Sequence, residues 1–249
     1  MAVTIKSPRE IELMREAGRI LAKTHEELAK NLRPGMSTWD IDHMGEEIIR
    51  SYGCIPSFKN YNGYPASICV SVNDEVVHGI PHKEHFLDEG DIVSLDAGVI
   101  YKGYHSDAAR TYGIGEIDDD AKKLIEVTRQ SFFEGIKFAK AGNHLNDISS
   151  AIQAYAESFG YGVVRDLVGH GIGSHLHEEP EVPNFAQKRK GIKLVPGMTL
   201  AVEPMINIGT PNVAWMDDDW TVVTKDHSLS AHYENTILIT EGEPEILSL

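Results

Sequence analysis

Landmarks in this chain recur at a constant separation of 107 residues. The matched positions are Gly35 and Gly142, Asp40-Ile41 and Asp147-Ile148, Gly53 and Gly160, Gly90 and Gly197, and Asp96 and Glu203. A constant offset across five landmarks predicts an internal duplication, with halves of roughly 1–115 and 116–249. Duplicated halves tend to pack about a pseudo-two-fold axis. Such packing would bring the matched carboxylates Asp96 and Glu203 together.

Helical and strand patterns follow one another along the chain. Residues 7–10, Ser-Pro-Arg-Glu, form a capping box with proline at the first helical position, and the predicted helix ends before Pro34. A second helix is predicted from near Thr38 to Tyr52. The runs SICVSV, DIVSLDAGV, MTLAVEPMI, TVVT and TILIT read as strands. The prediction is an α+β fold, residues 1–249 in a single domain, with helices covering one face of a mostly antiparallel sheet.

Composition restricts the partners and the setting. The formal net charge of -15 argues against a nucleic-acid backbone as a direct partner, whereas a cationic peptide end would be attracted. Two cysteines, Cys54 and Cys69, stand outside any C-x-x-C pair, which favours a reducing compartment over a disulfide scaffold. Neither a signal-peptide pattern nor an apolar run of membrane-spanning length is found. We therefore expect a cytoplasmic protein without a membrane contact.

Four carboxylates stand in strand-like segments, where apolar residues belong: Asp96, Asp107, Glu203 and Glu234. A buried carboxylate without a partner is costly or changes its protonation state, and lysine and arginine are scarce nearby. Bound metal ions would compensate the charge, and two divalent ions balance four carboxylates. Oxygen-rich ligands favour Mn, Fe or Co over a structural zinc site. Bridging carboxylates would hold two ions about 3.5–4 Å apart, as in two-metal hydrolases.

Two of the twelve histidines share the tripeptide His-Gly-Ile, and this repeated context marks His78 and His170 as candidate site residues. His105 and His232 lie near the proposed carboxylate ligands and stay undecided. Other chemistries lack their motifs, because the chain has no HExxH, no Walker A sequence and no G-x-S-x-G elbow.

The segments SLDAGVIYKGYHSDAART, LVGHGIG, LHEEP, GMTLAVEPM and AHYENTILIT, in this order and spacing, resemble the type I methionine aminopeptidases. The resemblance covers essentially the whole chain. It implies the pita-bread fold, a duplicated α+β half around a pseudo-two-fold axis. It also implies a monomeric enzyme that removes the initiator methionine from nascent polypeptides with a small second residue, with ribosome association as a further expectation.

The resemblance implies a role for each site residue. Asp107 and Glu234 would bridge two divalent ions (Co, Mn or Fe). Asp96 would bind one ion, and His170 and Glu203 the other. The residues expected to act on the substrate are Glu203 as proton shuttle and His78 and His177 near the scissile bond. The methionine pocket would be lined by Phe58, Tyr61, Tyr64, Cys69, Leu176 and Trp220. Family members often carry cysteine at the position of Phe58 and phenylalanine at that of Leu176.

Two alternative functions stay open. Prolidases and Xaa-Pro aminopeptidases share the five metal ligands, but they usually carry an extra N-terminal domain, and here the catalytic half begins almost at Met1. A non-catalytic pita-bread binding protein is the other alternative, but such members lose metal ligands, and all five are present here. A panel of peptide substrates distinguishes a methionine aminopeptidase from the first alternative. Measuring bound metal, and activity after chelation and refilling, distinguishes an enzyme from the second.

Overall fold

The computed structural model describes residues 3–249, and its helices begin where the sequence carries capping signals. The helices are α1 (Pro8–Asn31), α2 (Thr38–Ser51), α3 (Asp119–Ile136) and α4 (Leu145–Glu157). The Ser7 side chain accepts from the backbone N–H of Glu10, and the Glu10 carboxylate accepts from that of Ser7, which confirms the capping box. Asp118 caps α3 by accepting from the backbone N–H of Ala121. Within the described residues, no helix is long and apolar enough to cross a membrane.

Short strands make up the rest of the regular structure. Between residues 3 and 249 they are β1 (Ile55–Pro56), β2 (Ile68–Val72), β3 (Glu75–Val77), β4 (Ile92–Tyr101), β5 (Tyr104–Gly113), β6 (Gly162–Val163), β7 (Gly169–Gly171), β8 (Glu178–Val182), β9 (Thr199–Val202), β10 (Met205–Asn207), β11 (Val213–Trp215), β12 (Val222–Thr224), β13 (Ser230–His232), β14 (Asn235–Leu238) and β15 (Glu245–Ile246). Every pairing between them is antiparallel. This confirms the predicted antiparallel character.

One predicted strand, MTLAVEPMI, is divided in two. It forms β9 and β10, which are separated by Glu203 and Pro204. Proline has no backbone N–H to donate to a ladder, so regular pairing stops there. The two pieces join different sheets, because β9 pairs with β14 and β10 pairs with β13. The interruption places Glu203 at the end of a strand.

The matched glycines of the two halves have matching backbone conformations. The φ values are +82° and +95° at Gly35 and Gly142, +71° and +81° at Gly53 and Gly160, and +97° and +87° at Gly90 and Gly197. Residues with a side chain rarely adopt this left-handed region, so glycine is required at both copies. The hydrogen bonds repeat as well, because the Gly35 N–H donates to the Leu87 carbonyl and the Gly142 N–H to the Leu194 carbonyl. The duplication inferred from the sequence is thus confirmed in the fold.

Helices pack over the sheets of each half and bury a core there. In the first half α1 packs on β4 and β5, and α2 packs on β2. This core contains Leu21, Ile41 and Leu95. In the second half α3 and α4 pack against each other, and the core contains Phe132 and Ile237. The helices do not cover the opposite face of the strands. A site between the two halves can form on that face.

Strand β5 of the first half is joined to the second half by hydrogen bonds that hold two carboxylates in place. Ala109 and Glu234 exchange two backbone hydrogen bonds of 3.4 and 3.0 Å. Beside them the Thr236 hydroxyl accepts from the Asp107 N–H at 2.8 Å and donates to the Asp107 carbonyl at 3.0 Å. The backbones of Asp107 and Glu234, which are far apart in sequence, are therefore fixed next to each other.

Candidate metal centre and substrate pocket

Every residue assigned to the site from the sequence lines a single cavity of about 240 Å³. The lining residues are Phe58, Tyr61, Asn62, Tyr64, Cys69, His78, Asp96, Asp107, His170, Leu176, His177, Glu203, Trp220 and Glu234. Asn62 is the one member that the sequence reasoning did not select. It lies in a tight turn, Tyr61–Gly63, with φ at +51°, and no motif distinguishes it. The cavity draws residues from both halves of the chain.

Adjacent strands supply the four carboxylates in two pairs. Asp96 and Asp107 lie on β4 and β5, which pair in continuous antiparallel register. Glu203 directly follows β9 and Glu234 directly precedes β14, so they stand opposite each other at the end of the β9–β14 ladder. Side chains two residues apart on a strand share a face, and neighbouring strands align those faces. Each half therefore contributes one pair of carboxylates to the cavity.

Within the described residues, the side chains of these carboxylates form no ion pair with lysine or arginine. Oδ1 of Asp96, Oδ1 of Asp107 and Oε1 of Glu234 are buried without a hydrogen-bond partner. Within residues 3–249 the ion pairs of Asp107, Glu203 and Glu234 are with imidazoles, at 3.8–3.9 Å. Burial, reinforced by the neighbouring carboxylates, raises the pKa of Asp107, Glu203 and Glu234 well above the usual range. Divalent cations fit such a group of acidic oxygens.

His170 adds a nitrogen donor to this cluster. Its Nδ1 lies 2.8 Å from the Gly171 carbonyl, a bond that only a protonated Nδ1 can donate. The lone pair is then on Nε2, which lies 3.8 Å from both Asp107 Oδ2 and Glu203 Oε1. Burial lowers the pKa of His170 to about 3, so the ring is neutral, the form that binds metals. Ligand atoms of Asp107, His170 and Glu234 lie within 4.8 Å of one another, a spacing suited to a metal ion.

His78 reaches the cavity from a strained backbone position. Its φ of +58° lies in the left-handed region, which costs about 1–3 kcal/mol for a residue with a side chain. The next residue is held firmly, because the Gly79 carbonyl accepts from the Tyr64 hydroxyl at 2.8 Å and from the Val70 N–H at 3.0 Å. Burial lowers the pKa of His78 to about 4, so its ring is a neutral hydrogen-bonding group.

His177 also lines the cavity and is oriented by its neighbours. Its Nδ1 lies 2.8 Å from the Tyr61 hydroxyl, and the two rings stack with centroids 5.2 Å apart. The His177 ring also lies beside His170, with centroids 4.2 Å apart. With the Tyr61 hydroxyl bound at Nδ1, the Nε2 atom is the one that remains for a ligand.

The part of the cavity beyond the carboxylates is apolar and aromatic. Trp220 meets Tyr64 edge to face, with ring centroids 5.2 Å apart. Phe58, Cys69 and Leu176 are buried in the same hydrophobic cluster. A thioether makes favourable contacts with aromatic rings and adapts to irregular apolar space. An unbranched, sulfur-containing side chain is chemically suited to this end of the cavity.

Comparison with known proteins decides the family. The model of metallopeptidase family M24 matches residues 12–241. The chain belongs to metallopeptidase family M24. It is therefore a peptide hydrolase that uses divalent metal, in agreement with the carboxylate and imidazole cluster described above.

Relatives of this M24 peptidase match it along its whole length. The methionine aminopeptidase of Clostridium acetobutylicum is 57% identical over 247 residues, which is 99% of each chain. The crystal structure of the methionine aminopeptidase of Thermotoga maritima is 47% identical and superposes with a TM-score of 0.97, covering 99% of each chain. The Xaa-Pro dipeptidase of Bacillus anthracis is 28% identical with a TM-score of 0.79, covering 98% of this chain but 61% of that one. These matches confirm the pita-bread fold.

Two histidines that the sequence left undecided have different surroundings in this M24 peptidase. His105 does not line the cavity, and its Nδ1 is 3.0 Å from the Ser57 hydroxyl. His232 is buried, and its Nε2 is 3.8 Å from Glu203 and 3.9 Å from Glu234. Its position two residues before Glu234 was the available signal, but alternation along a strand does not say which neighbours a side chain meets.

Proposed function

We propose that this M24 peptidase removes methionine from the N-terminus of nascent polypeptides whose second residue is small. The observation that carries the proposal is the union, in one cavity, of the carboxylate and imidazole cluster with an apolar aromatic pocket. Full-length similarity to methionine aminopeptidases supports the same activity. The Xaa-Pro dipeptidase is a more distant relative and a longer protein.

The proposed cofactor is a pair of divalent ions, Co, Mn or Fe, held by Asp96, Asp107, His170, Glu203 and Glu234. Three unpartnered buried oxygens and the absence of lysine or arginine partners within residues 3–249 support this ligand set. When bound, such ions polarise a substrate carbonyl and acidify water to a pKa near neutrality. Two divalent ions would also balance the formal charge of the four carboxylates.

Protein groups would handle the proton and the developing charge. Glu203 would accept a proton from the attacking water and deliver it to the departing amine. His177 would donate from Nε2 to the oxyanion, because Tyr61 occupies Nδ1. His78 would hydrogen-bond the amide nitrogen of the second residue, and Asp96 would hold the free α-amino group. Recognition of that amino group would restrict cleavage to N-termini.

The proposed methionine pocket consists of the aromatic and apolar lining residues, Phe58, Tyr61, Tyr64, Cys69, Leu176 and Trp220. These side chains would bind the methionine side chain and exclude water from the scissile bond. Phe58 and Leu176 stand where family members often carry cysteine and phenylalanine, so the shape of this pocket would differ from theirs. The two departures leave the proposed chemistry unchanged.

A peptide panel tests the proposed activity. We expect the metal-loaded protein to cleave Met-Ala-Ser, to cleave a peptide with leucine as second residue far more slowly, and to leave Ala-Pro-Ala intact. Chelation should abolish turnover, and refilling with Mn²⁺ or Co²⁺ should restore it. Cleavage of Ala-Pro-Ala in preference to Met-Ala-Ser would support the Xaa-Pro function instead. Binding of metal without any turnover would support a non-catalytic protein.

The proposed role of His78 is tested by substitution. We expect His78→Ala to lower kcat on Met-Ala-Ser by about 10²–10³, because a positioned hydrogen-bonding group is lost. Steady-state kinetics of the metal-loaded protein measures the change. His43→Ala removes an exposed imidazole on α2 and is the matched control. A kcat for His78→Ala equal to that of the control would remove His78 from the mechanism.

The proposed setting is the cytoplasm, where the enzyme would act as a monomer on chains leaving the ribosome. Two buried free thiols, Cys54 and Cys69, support a reducing environment. Sedimentation of the purified protein and its co-fractionation with translating ribosomes test the two remaining expectations. A stable dimer, or absence from the ribosomal fraction, would overturn the corresponding one.

A further inference from the structure

His232 is a buried imidazole with no hydrogen-bond partner on its ring. The residue, at the end of β13, is 1% exposed, and neither Nδ1 nor Nε2 has a partner. Buried polar groups in folded proteins are nearly always paired, so a ring with two unpaired nitrogens needs a physical explanation. A neutral imidazole carries one N–H donor and one acceptor nitrogen. In His232 both the donor and the acceptor are unused.

The backbone of His232 is held rigidly by the other half of the molecule. The Thr111 hydroxyl accepts from the His232 N–H and donates to its carbonyl, both at 2.9 Å. The same hydroxyl lies 2.8 Å from the Ser94 hydroxyl on β4. Met205 pairs with His232 across the β10–β13 ladder. The ring is thus presented from a fixed strand, as a group that orients a site should be.

The Nε2 atom of the ring lies near two proposed metal ligands. Nε2 lies 3.8 Å from Oε2 of Glu203 and 3.9 Å from Oε2 of Glu234. The other oxygen of Glu234, Oε1, has no hydrogen-bond partner. Carboxylates and imidazoles that bind metals are commonly oriented by hydrogen bonds from outside the ligand set, and those outer partners tune metal affinity. His232 is placed to supply such a bond to either glutamate.

His232 also lines a separate cavity of about 260 Å³. Arg110 and Arg129 line it, and no aspartate or glutamate of residues 3–249 does. The buried guanidinium of Arg110 is itself bonded to the carbonyl of Glu234 and to Asn235 Oδ1. The two arginines would repel a cation from this cavity. The groups of the proposed metal centre that lie nearest to Nε2 are Glu203 and Glu234.

We propose that His232 is a positioning residue of the metal centre, whose Nε2–H moves from 3.8–3.9 Å to hydrogen-bond distance of Oε2 of Glu203 or Glu234 when metal binds and orients that carboxylate. The inference rests on the proposed metal centre. It assigns His232 no contact with the metal or with the substrate. A side chain with an N–H donor in this place should preserve metal affinity, and an apolar one of similar volume should not.

The test compares His232→Gln with His232→Leu by calorimetric titration of metal-free protein with Mn²⁺. We expect His232→Leu to weaken Mn²⁺ binding by about 10–100-fold, the usual effect of losing an outer hydrogen bond to a metal ligand. His232→Gln keeps an N–H donor, so its affinity should stay within about three-fold of the wild type. Urea unfolding of the metal-free His232→Leu protein should show an unchanged or higher midpoint, because leucine leaves no buried polar group unpaired.

A matched control is His25→Leu, which removes a buried imidazole outside the cavity. His25 is bonded to the Ala108 carbonyl at 2.9 Å, so this change should lower the unfolding midpoint and leave Mn²⁺ affinity unchanged. Wild-type affinity in His232→Leu would overturn the proposal. So would equal weakening in both His232 variants, which would indicate a direct ligand or a role of shape. A urea-unfolding midpoint of the metal-free protein that falls in His232→Leu but not in His232→Gln would assign the ring to fold stability.

The same measurements separate this inference from the proposed function. If the wild type binds no Mn²⁺ and leaves Met-Ala-Ser uncleaved, the metal peptidase function itself fails. If the wild type does both and the two His232 variants bind Mn²⁺ alike, only the role of His232 fails.

Discussion

Glu75 is a partly buried carboxylate on β3 with no lysine or arginine partner among residues 3–249. Its Oε2 accepts from the Val72 N–H at 2.8 Å. Burial, with Asp74 and Asp218 nearby, raises the pKa of Glu75 from 4.5 to about 7. Between these two values the unfolded chain releases a proton that the folded protein retains. The stabilisation is therefore complete below pH 4.5 and is lost as the pH rises to about 7.

We predict that Glu75→Gln removes this pH dependence. The amide oxygen can still accept from Val72, and no charge forms. The free energy of unfolding of the variant should exceed that of the wild type by about 1–3 kcal/mol near pH 8, and the difference should shrink toward pH 5. Urea unfolding at both pH values measures it. The exposed Glu84→Gln serves as control, and a Glu75→Gln difference that does not change with pH would contradict the prediction.

At the residue scale, the sequence exposes some site residues and hides others. Asp96 and Glu203 stand out because a charged residue inside an apolar run is an anomaly in one dimension. His232 and Asn62 show no such anomaly. The first lies in an ordinary alternating segment, and the second lies in a turn rich in small and polar residues. What distinguishes His232 is the lack of a partner on its ring, and partners are defined only when distant strands meet.

The segment before α1 is an element whose attachment depends on one buried ion pair. Lys6 and Glu178 are 7% and 9% exposed, and Nζ lies 2.7 Å from Oε2. The same carboxylate accepts from the Thr4 hydroxyl at 2.5 Å and from the His175 N–H at 3.2 Å. The Lys6 N–H donates to the Gly197 carbonyl at 2.8 Å. The segment thus holds the loop that carries His175 beside the cavity.

We predict that removing either charge lowers the free energy of unfolding. Removing both should lower it by less than the sum of the two single changes. Lys6→Met should lower the free energy of unfolding by about 3–5 kcal/mol, because Glu178 is left buried and uncompensated. Glu178→Gln should act similarly, and the double variant should recover part of the loss. Urea unfolding of the four proteins gives the coupling. Lys140→Met, which breaks an exposed pair with Glu243, should cost below about 1 kcal/mol. Strict additivity of the first two changes would refute the coupling.

At the element scale, helices were easier to predict than strands. A capping box marks a helix start locally, and Ser7 caps α1 as expected. Strands β7 and β8 were not anticipated, because their sequences are rich in glycine, proline or charged residues. Pairing with neighbours supplies what their own sequences lack, because β7 pairs with both β8 and β9. The division of MTLAVEPMI likewise depends on which strands lie beside each piece.

At the scale of the whole molecule, the sequence predicted the duplication, but it did not predict which residues of the two halves come into contact. Asp96 and Glu203 share the repeat offset, but Asp107 and Glu234 do not, because the second half has a longer connection between its paired strands. The resemblance to known enzymes supplied that second correspondence. In the fold, the backbone hydrogen bonds between Ala109 and Glu234 bring Asp107 and Glu234 next to each other.

The proposed ligands come from both halves, so metal binding should couple them. Asp96 and Asp107 lie on β4 and β5, and Glu234 precedes β14. We predict that Mn²⁺ at about 100 times its Kd stabilises the fold by about 2.7 kcal/mol. Amide hydrogen exchange should slow in β4 of the first half and β14 of the second together. Glu234→Ala, a change in the second half, should abolish the Mn²⁺-induced protection of β4, because a carboxylate proposed to hold metal together with Asp96 and Asp107 is lost.

Helix α2 provides an internal reference for this measurement, because it packs on β2 and lies outside the cavity lining. Mn²⁺ should slow amide hydrogen exchange in α2 only as much as the overall stabilisation of the fold does. Persistent Mn²⁺ protection of β4 in Glu234→Ala would mean that the first half binds metal alone. The two halves would then be independent in binding, and Glu234 would not connect them. Loss of protection in β4 and β14 together is the result expected if one centre is shared across the pseudo-two-fold axis.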